Sequence, residues 1–265
     1  MESLKFTSLM AQNSETVAEA VVHYVGDRLD VPAEFVNDVP WQERQELLDA
    51  GEIHVAWICG LPYVWRADEP EPRIELLAAP LMRAPRYDDH PVYFSDVVVR
   101  RDSGLRTFAD LRGASWAYNE PGSHSGYNVV RYHLATLGEA SGYFGRVIQS
   151  GSHQTSLQMI LESQIDASAI DSTVLEMEFE RDPDIRSELR VIDTLGPSPI
   201  PPWVVLRNLP WETRESMQEA LVGMHEDPRG REILVQGPVA RFARVVDSDY
   251  DAIRDMFRQA ESVTL

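Results

Sequence analysis

Three short segments place hydroxyl, imidazole and carboxylate side chains where helices are expected to begin. They are Asn119-Glu120-Pro121-Gly122-Ser123-His124-Ser125-Gly126, Ser150-Gly151-Ser152-His153 and Ile170-Asp171-Ser172-Thr173. The first turn of a helix carries backbone N–H groups without intrahelical partners and a partial positive charge, so small hydroxyls there can complete a donor set for an oxyanion. Ser and Asp at such places are equally the ordinary N-cap residues, and each segment alone admits that reading. The first segment holds more than a cap needs: Ser123 and Ser125 flank the helix start, and Gly126 permits close backbone approach.

An oxyanion would have to be held locally. The 265-residue chain has 43 acidic and 24 basic residues, a formal net charge of −19, so its overall field repels anions. The same charge argues against nucleic acid and anionic membrane surfaces as partners. Lys5 is the only lysine, and no functional inference follows from it. Cys59 is the sole cysteine, which rules out an intrachain disulfide and reads as a buried small hydrophobe within Val55-Ala56-Trp57-Ile58-Cys59. The histidines show no ligand spacing with carboxylates, so no metal and no cofactor is expected. No apolar run approaches the length of a membrane span. The N-terminus enters a strand-like segment without a basic and then apolar leader. Read as written, the chain is cytoplasmic unless a signal peptide has been replaced by a start codon.

The elements that must position these segments alternate short apolar runs with amphipathic stretches, which predicts an α/β protein with mostly parallel strands. Strands are expected at residues 4–9, 34–36 and 53–58, with helices at 14–25, capped by Ser14, and at 41–50, ended by Gly51. Residues 92–99 form the longest clean strand candidate and lead to a polar turn at 101–104. A second α/β series follows, with strands at 115–118, 146–149 and 166–170 and helices at 123–137, 153–161 and 172–180. Residues 196–202 are too proline-rich for a helix or a central strand and read as a return crossing. The expected lobes are residues 1–97 with 200–265, and 98–199, with hinges near 92–100 and 194–203. The last helices would pack on the first lobe.

In combination these residues match a family. The segment Tyr118 to Tyr127 resembles the acidic-residue-proline and Ser-Thr-Ser-Gly-Tyr stretch of the phosphate-, phosphonate- and phosphite-binding proteins of ABC transporters. Gly151-Ser152-His153 and the run Gln164 to Ser172 are similar to further signatures of that family. The resemblance keeps its order over roughly residues 4–225 and implies a type 2 periplasmic-binding-protein fold. That fold has two α/β lobes joined by two crossing strands, with the ligand cleft between them and closure about a hinge. It further implies that Ser123, His124 and Ser125 surround the oxyanion with Gly126, that Ser152 and His153 add donors, and that Asp171 faces the other end of the ligand. His124 stands where the family usually has threonine. If its ring points into the site, affinity should rise as pH falls; if it points to solvent, affinity should follow the ligand's own ionisation.

Other candidates carry two readings each. Trp57 and Tyr63 follow the third strand and either cover a ligand or belong to the core. Tyr93, in the long strand, falls within the family-like stretch. Gln12 and Asn13 either contact ligand or precede the Ser14 cap. Asp171 either reads an amino-bearing end of the ligand or caps the helix at Ser172. The function expected is capture of a small anionic ligand by a monomer that serves an ABC permease or a receptor in the periplasm or cell envelope. The alternative is a cytoplasmic enzyme on the same fold, of the kind that serves menaquinone or thiamine-pyrimidine synthesis.

Overall fold

The computed structural model describes residues 3–265. Along the chain run β1 (Leu4–Ser8), α1 (Glu15–Leu29), β2 (Ala33–Phe35), α2 (Trp41–Ala50), β3 (Val55–Trp57), α3 (Gly60–Ala67), β4 (Ile74–Met82) and β5 (Val92–Arg100). Next come β6 (Ser115–Tyr118), α4 (Val129–Thr136), β7 (Arg146–Gln149), α5 (His153–Leu161), β8 (Ala167–Asp171), α6 (Ser172–Arg181), α7 (Pro183–Glu188) and β9 (Leu189–Pro199). The chain ends with β10 (Trp203–Leu206), α8 (Trp211–Val222), α9 (Pro228–Val235), β11 (Val239–Ala243) and α10 (Asp251–Gln259).

The chain folds into two units. The first comprises residues up to Val92 and Pro199–Tyr250, the second Tyr93–Ser198 and Asp251–Leu265. In the first unit six strands lie in the order β11-β4-β10-β3-β1-β2. β1 pairs in parallel with β2 and β3, whereas β10 runs antiparallel between β3 and β4. The second unit's sheet has the order β7-β6-β8-β5-β9, with β6 parallel to β7 and β8, and β5 antiparallel to β8. Both sheets are therefore mixed, where the alternating pattern suggested mostly parallel strands. Periodicity identifies a strand but not its direction, and the strands that carry the chain between units enter the sheets reversed.

Several local expectations change. Ser14 does not cap α1 with its side chain; its hydroxyl donates to the Ala11 carbonyl at 2.7 Å. Gly51 does end α2, at φ 82°, a conformation that glycine reaches without strain. The proline-rich stretch was expected to form neither helix nor central strand, and β9 continues through Pro199. It does so at the edge of its sheet, where a missing N–H breaks no central ladder. Elements α3, β4, α7 and β11 were not anticipated; the prolines at 70, 72 and 80 obscured the stretch that holds α3 and β4. Cys59 is half-buried at the N-cap position of α3.

The largest change concerns the C-terminus, where residues 251–265 join the second unit although sequence order assigned them to the first. The chain thus passes between units three times, one more than expected. Val263 is buried in the core built from Val97, Val99, Trp116, Val129 and Val130, and Met256 and Leu265 pack against that core. Arg131 holds the tail by its backbone, donating from Nε to the Val263 carbonyl at 2.7 Å and from Nη2 to the Ala260 carbonyl at 2.6 Å. Deleting residues 260–265 removes this buried valine and uncovers its neighbours. Unfolding in urea should show a loss of about 3 kcal/mol, on the scale of one buried aliphatic side chain plus the cavity it leaves.

Candidate functional site

In the second unit β6, β7 and β8 run in parallel, so their carboxyl ends and the helices that follow them gather at one edge of the sheet. All three junctions expected to carry chemistry begin with a side-chain cap. Ser123 Oγ accepts from the Gly126 N–H at 3.0 Å, Ser152 Oγ from the Thr155 N–H at 3.0 Å, and Asp171 Oδ1 from the Thr173 N–H at 2.8 Å. The capping reading therefore holds at each position. Ser152 is used up locally, its hydroxyl also lying 2.7 Å from that of Thr155.

Ser125 is different, because no helix end claims it. Its hydroxyl lies 3.0 Å from His153 Nε2 and 3.4 Å from Ser123 Oγ. The three side chains form a line of polar groups that are 3%, 3% and 5% exposed for Ser123, Ser125 and His153. Residues His124–Asn128 are wound as a π-helical turn that continues into α4. A wide turn of this kind is frequent at functional sites. Gly126 lets two side chains approach closely there: a Cβ at this position would come 2.1 Å from Asn119 Oδ1 and 3.3 Å from His153 Cε1, so both would have to shift. Sequence reasoning did not single out Asn119, although it stands in the first segment. Its Oδ1 and the Nδ1 of His153 are both buried without a hydrogen-bond partner, groups that a bound molecule or water can satisfy.

The titratable groups are all moved toward neutrality by burial. His153 is pushed down to about 4 and His124 to about 3, so both are uncharged imidazoles at ordinary pH. His124 neither faces solvent nor offers a charge. It is fully buried, with Nε2 2.9 Å from Ser198 Oγ and Nδ1 3.2 Å from Asn128 Nδ2. An affinity that rises with falling pH through this ring, expected from sequence, is not what this burial provides. Burial also pushes Glu120 up, and it raises Asp171 to about 6, against the Thr173 hydrogen bonds and with a further contribution from Asp96. A carboxyl raised above its unfolded value adds stability in acid, and that contribution is lost as pH rises through the folded value. Asp171→Asn keeps a good capping side chain and has no charge to desolvate. It should be more stable than wild type above about pH 6 by roughly 1–2 kcal/mol, with no difference near pH 4, in urea titrations at each pH.

Tyr93 is buried in β5 with its ring centroid 6.4 Å from that of His124. The remaining candidates lie in the first unit. Gln12 is exposed in a 3-10 turn after β1. Trp57, half-buried at the end of β3, donates from its indole N–H to the Pro201 carbonyl at 2.9 Å and stacks on Trp203 at 5.7 Å. For Tyr63, which the sequence allowed either to cover a ligand or to join the core, the position is the core: it lies inside α3, 3% exposed, with its hydroxyl 2.7 Å from Asp247 Oδ1 and its ring edge-on to Tyr250. An aromatic just after a strand is drawn into the core when the following helix folds back across the sheet. Among the described residues no cluster of three or more His, Cys, Asp or Glu side chains could hold a metal ion.

A family profile described as the phosphonate periplasmic substrate-binding protein of ABC transporters matches residues 7–250. The chain belongs to that family. Solved structures agree on the fold. A binding-protein component of an ABC phosphonate transporter from Pseudomonas aeruginosa shares 17% identity over 98% of this chain and 86% of its own, with a TM-score of 0.84. PhnD1 from Prochlorococcus marinus, in complex with methylphosphonate, shares 17% identity over 99% of both chains, with a TM-score of 0.83. A Xanthomonas citri protein bound to ATP is 15% identical over 98% of both chains, with a TM-score of 0.76. This member of the phosphonate substrate-binding family accordingly has the type 2 periplasmic-binding-protein fold.

Proposed function

We propose that this family member captures a phosphonate or a related small oxyanion at the turn Ser123 to Gly126 and offers it to an ABC permease. The observation that carries this reading is the buried Ser125–His153 pair at the start of the π-helical turn. It presents neutral donors where a helix start supplies N–H groups, in a protein whose net charge of −19 gives anions no general attraction. Ser123 and Asp171 complete the site while capping their helices, and Asp171 favours ligands with an amino group at the far end. Binding is favoured over catalysis because a nucleophilic Ser–His pair needs a third group to orient the imidazole, and His153 Nδ1 is buried without one. The protein acts as a monomer in the periplasm, without nucleic acid; among the described residues no helix is long and apolar enough to cross a membrane.

Titration calorimetry with methylphosphonate, a 2-aminoalkylphosphonate, phosphite and phosphate tests the proposal. At least one should bind saturably at a single site, and Asp171→Asn should lower the preference for the amino-bearing ligand. Absence of heat with all four would overturn the assignment and leave the serines as helix caps.

A further inference from the structure

One side chain of the candidate turn meets both ends of the second unit's central segment. Tyr93 is the first residue after the chain leaves the first unit, and Ser198 the last before it returns. His124 reaches both. Its Nε2 lies 2.9 Å from Ser198 Oγ, and its ring is tilted by 58° against that of Tyr93 at 6.4 Å between centroids. The other ring nitrogen, Nδ1, faces Asn128 Nδ2 at 3.2 Å. An amide nitrogen only donates, so Nδ1 accepts, and the ring proton sits on Nε2, from which it is donated to Ser198. Tyr93, His124, Asn128 and Ser198 are all buried, so the hydrogen bonds face no competition from water. Ser123 and Asn128 close the turn around His124, the Asn128 N–H donating to the Ser123 carbonyl at 3.0 Å.

We propose that His124 is a positioning residue that ties the oxyanion turn to the two points where the chain enters and leaves the second unit. Resting on the reading of residues 123–126 as the ligand turn, this gives His124 a role other than touching the ligand. Its ring fixes the turn from behind through Asn128 and passes any shift of the turn to Ser198 and Tyr93. Occupancy of the turn and the conformation of the two exit points then bias each other in both directions, as any linked pair must.

Amide hydrogen exchange on the ligand-free protein, wild type against Ser198→Ala, tests the link without a ligand. The Gly126 and Asn128 amides, which close the turn, should exchange about tenfold faster in the variant, the effect of losing one buried hydrogen bond, while those of Trp116 and Ala169 in the sheet stay unchanged. Methylphosphonate affinity measured by calorimetry on the same folded samples should fall about fivefold or more, although Ser198 lies outside the turn. Unchanged exchange at Gly126 and Asn128, or equal acceleration of turn and sheet, overturns the proposal, the second outcome marking Ser198 as a general packing residue. If wild type binds no methylphosphonate, the reading of the turn as a phosphonate site falls, and the exchange comparison still decides whether His124 positions the turn.

Discussion

Replacing Ser125 by alanine should weaken phosphonate binding ten- to a hundredfold while leaving the fold intact. With 43 acidic residues against 24 basic ones, the general field works against an anion, so affinity must come from short-range donors. A hydrogen bond from a hydroxyl to a charged oxyanion in a dry site contributes about 1.5–3 kcal/mol, which is about one to two powers of ten in affinity. Ser125 is the site hydroxyl not engaged in capping, and its alanine variant also leaves His153 Nε2 without its partner. Ser123→Ala forms the contrast. Its hydroxyl accepts the Gly126 N–H, so that variant should lose about 1 kcal/mol of stability along with any loss of affinity. Calorimetry at a temperature where circular dichroism shows both variants folded separates the two effects. Equal affinity for wild type and Ser125→Ala would remove Ser125 from the site.

The protein should lose roughly 3 kcal/mol of stability between about pH 7 and about pH 5, before most surface carboxylates titrate. The cause is the pair of buried imidazoles. His124 and His153 are depressed from 6.5 to about 3 and about 4, so the unfolded chain takes up two protons that the folded one refuses. Their contribution is present above the unfolded value and is lost as pH falls toward the folded values; at about pH 5 each has forfeited about 2 kcal/mol. His133, held low by its own partial burial, acts in the same direction. Asp171 opposes them, because its raised carboxyl accepts a proton in the same window and returns about 1 kcal/mol. Urea midpoints across this range give the slope. In His124→Gln the drop should shrink by about two thirds, to about 1 kcal/mol, whatever the variant's absolute stability, since one of the two proton sinks is gone while Asp171 still opposes the other. A wild-type stability that is flat between these pH values would show that the rings are not held neutral.

The candidate turn was legible because its chemistry is local. Capping residues announce helix starts, and Ser123, Ser152 and Asp171 cap the helices that their spacing implies. That Ser125 meets His153, 28 residues away, also follows from order, since parallel neighbouring strands deliver successive helix starts to the same edge. What could not be read was contact between distant segments without a shared pattern. The His124–Ser198 bond spans 74 residues and joins a turn to an edge strand interrupted by prolines. Tyr63 shows the same limit, an aromatic whose sequence position admitted both a ligand cover and the core and whose hydroxyl is satisfied by Asp247, 184 positions on. For α10 a helix was expected from sequence, but not which of two cores would receive its buried face.

That C-terminal tail sets an order on synthesis. The second unit is encoded mostly by residues 93–198, yet its core includes Val263 and packs against Leu265. A ribosome covers the last few tens of residues of a growing chain, so this unit stays unfinished until residues 251–265 have emerged, long after its sheet has been made. The first unit waits as well, for β10 and β11 from residues 203–243. Neither half can be completed as a separate early domain, and both stay open longer than the first of two consecutive domains would.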